Sequence, residues 1–260
     1  MSALLVERKG AVATLINNDP PRNRMTLELM DQLESALREL REDRGVRAIL
    51  IRGSGDEHFS VGMNLKQLPE GVAKKGSVDA LFDQRLRVLA AIDAMPKPVI
   101  ALMYGYCLGG GLELPLACHF RLAASEGARM GLPELDLGSI PAWGGTVRLT
   151  RLVGRANALD IILRARKIDG QEALRIGLVH EVWPLHELAA RGMALAEALA
   201  EQPALAVAGV MNSVAAAESM TLEDALAVER GAFHATWGTP DQQEGMMAFL
   251  QKRKPIFNRG

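Results

Sequence analysis

The sequence predicts an α/β fold that gives way to helices alone near its C-terminus, and three observations predict it. Short apolar runs of strand length alternate with stretches of helical period over the first 200 residues. Strand signals stop after about Glu201, beyond which capped helical stretches follow one another. The chain has 260 residues, 48% of them hydrophobic, which suits one substantial core, or one core with a small appendage. The chain therefore divides into residues 1–200 and 201–260.

Val12, Thr14 and Ile16 alternate as a strand does. Thr26 is a candidate N-cap, and Leu29, Met30, Leu33, Ala36, Leu37 and Leu40 follow it at helical spacing. A strand is expected over 46–51, and segment 67–82, with Pro69, Gly71, Gly76, Lys74 and Lys75, reads as a mobile loop leading into a helix. A strand over 99–104 precedes a helix over 110–118, where Pro115 is compatible only in the first turn. Asp169 should cap a helix that leads to a strand over 178–182. Helices are expected over 203–218, 221–237 and 240–252; Thr221 and Thr239 are N-cap candidates, with Pro240 at the first helical position and Gln242 at the capping-box position.

Thirty basic and thirty-one acidic side chains leave a formal charge of −1, so no global field recruits nucleic acid or an anionic membrane. Cys107 and Cys118 match no zinc spacing and sit in apolar contexts, which predicts buried reduced thiols and a reducing compartment. No segment has the roughly 18 consecutive apolar residues that span a bilayer, and a cytoplasmic protein is expected.

Two segments hold most of the chemical information: Phe59-Ser60-Val61-Gly62-Met63-Asn64-Leu65-Lys66 and Gly105-Tyr106-Cys107-Leu108-Gly109-Gly110-Gly111-Leu112-Glu113. Each follows a strand-like run, and residues without bulky side chains let peptide N–H groups approach a ligand closely. Two converging amides stabilise an oxygen that becomes negative during reaction, each by about 3 kcal/mol. A helix starting near Gly109 or Gly110 adds its free first-turn N–H groups and the positive end of its dipole. A glycine triplet is otherwise a flexible linker. Here uncharged residues 98–112 lead in and Leu112, Leu114, Leu116 and Ala117 lead out, which is core-forming sequence.

Together these segments resemble the enoyl-CoA hydratase/isomerase family, also called the crotonase superfamily. The resemblance takes in Pro20-Pro21-Arg22-Asn23-Arg24-Met25, residues 59–65, Lys97-Pro98-Val99-Ile100-Ala101, and residues 105–113. It continues through Gly131-Leu132-Pro133-Glu134, Leu137-Gly138-Ser139-Ile140-Pro141, Gly144-Gly145-Thr146-Val147-Arg148-Leu149, and Ala173-Leu174-Arg175-Ile176-Gly177-Leu178-Val179. It implies a crotonase-like spiral of strand-strand-helix turns as catalytic core over 1–200, and a C-terminal helical region over 201–260 that builds a trimer, often doubled to a hexamer. No internal sequence repeat announces that spiral.

The activity it implies is cofactor-independent 2-enoyl-CoA hydration, with coenzyme A part of the substrate and no metal. Adding water across a conjugated C=C needs a base for the water, an acid for the carbon beside the carbonyl, and donors for the enolate oxygen. Carried over position by position, the resemblance makes Glu113 the base, Glu134 the proton donor, and Met63 and Gly110 the oxyanion amides. It offers Arg22, Arg24, Lys66 and Lys97 to the coenzyme A phosphates, with Val61, Asn64 and Leu65 as further substrate-binding positions and the adenine near Asn64 and Leu65. Segment 67–82 would lie beside the acyl chain, with Leu68, Val72, Val78, Leu81 and Phe82 as lining.

Four positions depart from the family pattern: Met63 stands for a small residue, Asn64 and His119 for aspartates, and Trp143 for a smaller residue. Trp143 either shapes the acyl pocket or packs on a neighbouring element. Asp136 is a third acid or a helix-dipole partner. Either glutamate could instead cap a helix or pair with an arginine such as Arg121 or Arg148. The rival activities are positional isomerisation by the Glu134-type carboxylate alone, another enolate-handling reaction such as thioester hydrolysis, and non-catalytic acyl-CoA binding. The expected partners are an acyl-CoA thioester and further copies of the chain, without nucleic acid or membrane.

Overall fold

The computed structural model describes residues 2–258. Residues 1, 259 and 260, at the ends of the two expected regions, lie outside the described residues. β1 (Leu4–Lys9) and β2 (Val12–Asn17) form an antiparallel hairpin whose turn uses Gly10 at φ 56. Thr26 caps α1 (Leu27–Glu42) by accepting the Leu29 amide at 3.1 Å, and Leu29, Met30, Leu33, Leu37 and Leu40 all face the core. Burying each such side chain contributes about 1.5–3 kcal/mol. β3 (Ala48–Gly53) follows, two residues later than the apolar run suggests, because Val46 is buried in the turn before it.

Segment 67–82 is not a loop. A single 3-10 turn at Leu65–Gln67 runs into α2 (Leu68–Lys75), and α3 (Val78–Asp93) starts at once behind it. Pro69 sits in the first turn of α2, where a missing N–H costs nothing. Gly76, at φ 89, ends α2, and Ser77 caps α3 by accepting the Ala80 amide. Proline and glycine here punctuate two helices.

β4 (Val99–Met103), β5 (Tyr106–Leu108) and α4 (Gly110–Ala117) come next, then β6 (Phe120–Ala124) and β7 (Arg129–Gly131). Pro115 is the sixth residue of α4, beyond the first turn. The helix ends two residues later, so its missing donor removes one terminal bond from a fully buried element. A 3-10 turn at Glu134–Leu137 leads to α5 (Gly145–Leu163), broken at Gly154, then to α6 (Gly170–Arg175), which Asp169 caps, β8 (Glu181–Trp183) and α7 (Leu185–Ala200). Leu178 and Val179 belong to a buried turn before β8 rather than to the strand.

The main sheet has the order β1-β2-β3-β4-β6-β8, parallel from β2 onward. β2, β3 and β4 read as nearly unbroken apolar runs because helices cover the sheet; α7 lies across it with Gly192 against Leu102. A second row of short pairings runs beside it: Met25 with Met63, Ser60 with Cys107, β5 with β7, and Met130 with Ile168. After β3, β4 and β6 the chain adds one short strand to this second row before its next helix or helical turn. That is the strand-strand-helix spiral.

α8 (Ala204–Ser219) packs along α9 (Leu222–Thr236), where Gly209 lets Ala232 approach, and α10 (Pro240–Leu250) follows. Thr221 and Thr239 both cap as expected, but Gln242 Oε1 accepts the Gly238 amide rather than that of Thr239. These helices leave Leu222, Trp237, Phe249 and Leu250 from 64% to 83% exposed. Among the described residues no single helix is long and apolar enough to cross a membrane.

Candidate active site

Backbone bonds draw the two glycine-bearing segments together. Ser60 N donates to Tyr106 O at 3.0 Å and Leu108 N to Ser60 O at 3.1 Å, so the segment after β3 runs beside β5. Ser60 Oγ accepts the Gly62 amide, which fixes the turn into Met63. Met63 flanks Met25 through Met25 N to Gly62 O and Asn64 N to Met25 O, a pattern that turns the Met63 amide to the opposite side. Gly110 is the first residue of α4, where an N–H has no helical acceptor. Among the described residues neither amide donates to another protein atom, and a Cβ on Gly62 would stand 3.7 Å from Gly110 N.

Met63 and Gly110 line a cavity of about 480 Å³ that is also lined by Glu113, Glu134, Phe82 and Trp143. Gly109 adopts φ 54, and Gly110 packs so closely on Trp143 that a Cβ there would lie 2.4 Å from the indole. Gly109 and Gly110 are therefore a fixed part of the wall. Of the residues expected as lining, Leu68 and Phe82 do line the cavity. Val78 is 56% exposed and Leu81 fully buried in the core, because α3 turns them away.

Glu113, one turn into α4, is 2% exposed. Its Oε1 accepts Trp143 N at 2.7 Å and Gly145 N at 2.9 Å, the latter the first amide of α5. Oε2 accepts no protein hydrogen bond among the described residues and is left to the cavity. Burial pushes the carboxyl up to about 7; the Gly145 and Trp143 bonds oppose this, and the Glu134 charge adds to it. Glu134 is raised as well, by burial, and its Oε2 is buried without a partner. Two carboxyls that burial holds above the ordinary carboxylate range thus line one space. Among the described residues neither pairs with an arginine: Arg148 holds Asp93 at 2.5 Å and Trp143 O, while Arg121 holds the carbonyls of Cys118, Pro115 and Leu178.

The other expected positions divide. Val61 and Leu65 line the cavity, and half-buried Asn64 lies between Met63 and Leu65 with its amide on Met25 O. Arg22, whose carbonyl accepts Val61 N, and Lys66 are exposed beside this segment. The structure does not bring Arg24 or Lys97 to the cavity. Asp19 takes the Arg24 guanidinium at 2.6 and 2.9 Å, and Lys97 Nζ donates to the Leu40 and Asp43 carbonyls at the end of α1, where a cation complements the helix dipole. Trp143 lines the cavity and packs on Gly110. His119 is structural: Nδ1 accepts Val99 N at 3.0 Å and Nε2 lies 3.2 Å from Asp93 O. Asp136 is exposed and does not line the cavity.

Sequence reasoning misses the parts that three residues play here. Gly145 supplies an amide to Glu113, and the Gly144-Gly145 pair at a helix start is the signal for it. Gly109 leaves room for the Glu134 carboxylate, whose Oε1 would lie 2.9 Å from a Cβ there. Arg85 is buried beside Trp143, and no local pattern marks it. Among the described residues no three His, Cys, Asp or Glu side chains gather in a way that could hold a metal ion.

A family model described as "Enoyl-CoA hydratase/isomerase" matches residues 7–260. A protein of Bacillus subtilis named probable enoyl-CoA hydratase is 38% identical, over 99% of both chains. The crotonyl-CoA hydratase of Syntrophomonas wolfei is 37% identical, over 98% of this chain and 97% of its own. A crystal structure of an enoyl-CoA hydratase from Bacillus anthracis superposes with a TM-score of 0.91 at 32% identity, covering 98% of each chain.

Proposed function

This chain belongs to the enoyl-CoA hydratase/isomerase family, and we propose that Glu113 and Glu134 together add water across the conjugated double bond of an acyl-CoA thioester. The chain is an enoyl-CoA hydratase, a hydro-lyase. The observation that carries the two-carboxyl reading is that Glu113, Glu134, Met63 and Gly110 all line one cavity.

The thioester oxygen lies between the Met63 and Gly110 amides, each of which stabilises the developing enolate by about 3 kcal/mol. Glu113, held by two amides through Oε1, takes a proton from water at Oε2 as the water oxygen bonds to C3. The C=C electron pair moves to C2, and Glu134 delivers a proton there. Glu113 later releases its proton and Glu134 regains one, so the product is the 3-hydroxyacyl thioester and the enzyme is unchanged.

The reaction uses no cofactor beyond the coenzyme A carried by the substrate. The exposed apolar side chains on α9 and α10, among them Leu222, Trp237 and Phe249, support assembly of residues 201–260 into a trimer or hexamer around the 1–200 catalytic core. Both cysteines are buried free thiols, and burial pushes Cys118 up to about 12; this supports a reducing, cytoplasmic setting. Nucleic acid and membrane are not partners in this reading.

The test is to mix the protein with crotonyl-CoA and with longer and branched enoyl-CoAs while following the loss of enone absorbance. Water addition is expected with at least one of them. Folded protein that hydrates none overturns the proposal.

A further inference from the structure

Arg85 is a fully buried arginine, 1% exposed, on α3. Its Nη1 donates to Leu81 O at 3.1 Å and to Gln84 Oε1 at 2.8 Å, both neutral acceptors. Nε and Nη2 are buried without any partner. Its nearest carboxylates, Asp31 and Glu34 on α1, are engaged elsewhere: Gln84 Nε2 donates to both, at 2.6 and 2.9 Å, and Lys75 and Arg87 pair with one each. A buried guanidinium with two idle donors is expensive, and the expense calls for an acceptor that comes from outside.

The position of Arg85 says what that acceptor belongs to. Its guanidinium lies 5.9 Å from the centroid of the Trp143 ring, and Trp143 lines the catalytic cavity. Phe82, which also lines the cavity, is one helical turn before Arg85 on α3. Arg85 therefore backs the wall made by these two aromatic rings. Nε and Nη2 share one edge of the guanidinium, the edge whose two parallel N–H groups match the two oxygens of a carboxylate.

We propose that Arg85 is a specificity residue for the far end of the acyl group, and that this chain takes enoyl-CoA thioesters whose acyl chain ends in a carboxylate. The inference rests on the acyl-CoA reading of the cavity given above. Arg85 does not itself line the cavity, so an acyl chain that parts the Phe82 and Trp143 rings brings its terminal carboxylate to Nε and Nη2, which neutralises the buried charge and satisfies both donors. A chain ending in methyl leaves them idle.

Binding and turnover test this separately. Butyryl-CoA and glutaryl-CoA are unreactive saturated thioesters that differ only in a terminal carboxylate. Calorimetry on the full-length protein should show glutaryl-CoA bound about tenfold tighter or more, the range of a charge-assisted hydrogen bond. Equal affinities overturn the proposal, whatever the enzyme does with unsaturated substrates. In turnover, the kcat/KM ratio of glutaconyl-CoA to crotonyl-CoA should exceed about ten in the wild type and collapse through KM in Arg85→Met. Arg85→Lys keeps the charge without the fork and should retain part of the preference. If Arg85→Met lowers kcat for both substrates and leaves their ratio unchanged, Arg85 only supports Trp143 and the proposal fails. If that variant does not fold, the wild-type affinities decide. Hydration of neither substrate alongside a clear preference for glutaryl-CoA would defeat the hydratase mechanism and leave Arg85 as the reader of the carboxylate.

Discussion

Trp143 donates its backbone N–H to Glu113 Oε1 at 2.7 Å while its indole rests on Gly110, so one residue orients the Glu113 carboxylate and braces the helix end that carries the Gly110 amide. The Glu113 carboxylate and the Gly110 amide are therefore not independently adjustable. A shift of the 141–145 turn moves both.

Glu113→Gln should isolate the base. Glutamine can still accept the Trp143 and Gly145 amides through its oxygen, so the fold is kept and only proton acceptance is lost. Hydration should fall by about a hundred- to ten-thousandfold in kcat, with KM little changed. Wild-type kcat/KM should fall on the acid side of pH about 7, where Glu113 takes up its proton. An enzyme that loses less than tenfold in Glu113→Gln does not use this base, and isomerisation by Glu134 alone then becomes the better account.

The same substitution has a pH-dependent effect on stability. Folding holds the Glu113 proton up to about pH 7, whereas an unfolded chain releases it near 4.5, so the buried charge costs stability above pH 7. That cost shrinks as pH falls from 7 to 4.5 and is absent below. Denaturant titrations should find Glu113→Gln more stable than wild type at pH 8 by about 1–3 kcal/mol, and equal to it at pH 4. An unchanged difference across that window would place the Glu113 pKa at its ordinary value.

Gly109→Ala should damage the site more than the fold. A Cβ there meets Glu134 Oε1 at 2.9 Å, on a residue already at φ 54 and ψ −128. Stability should drop by about 1–3 kcal/mol and kcat by about tenfold or more, as the carboxylate is pushed aside. Gly127→Ala is the control: its φ is 69 but nothing lies within 4 Å of the new Cβ, so thermal stability should fall without a change in kcat.

Assembly through the C-terminal helices is checked by light scattering. Trp237 and Phe249 are 64% and 83% exposed, far more apolar surface than a monomer needs. Replacing both by glutamate should convert the trimer or hexamer to monomer with helical content intact. A wild-type protein that is monomeric at micromolar concentration removes the reading.

Much of the helix framework was legible because its signals are local. Thr26, Asp169, Thr221 and Thr239 each cap the helix that follows, through bonds that span three residues. Segment 67–82 misled because Pro69 and Gly76 are equally at home in a loop and at the ends of two adjoining helices. Lys97 misled because a basic residue carries no mark of whether it meets a phosphate or the carbonyls ending α1.

The sequence alone determined which peptides are bared by glycine, which two carboxylates are available, and where most helices begin, since each depends on neighbours a few residues apart. Only the tertiary structure decided that Ser60 pairs with Cys107, that Met63 and Gly110 open on one space, and that Arg85 lies buried behind Trp143. Those pairings join residues tens of positions apart, and they are selected by how the whole sheet and its helices bury one core, which no local pattern encodes.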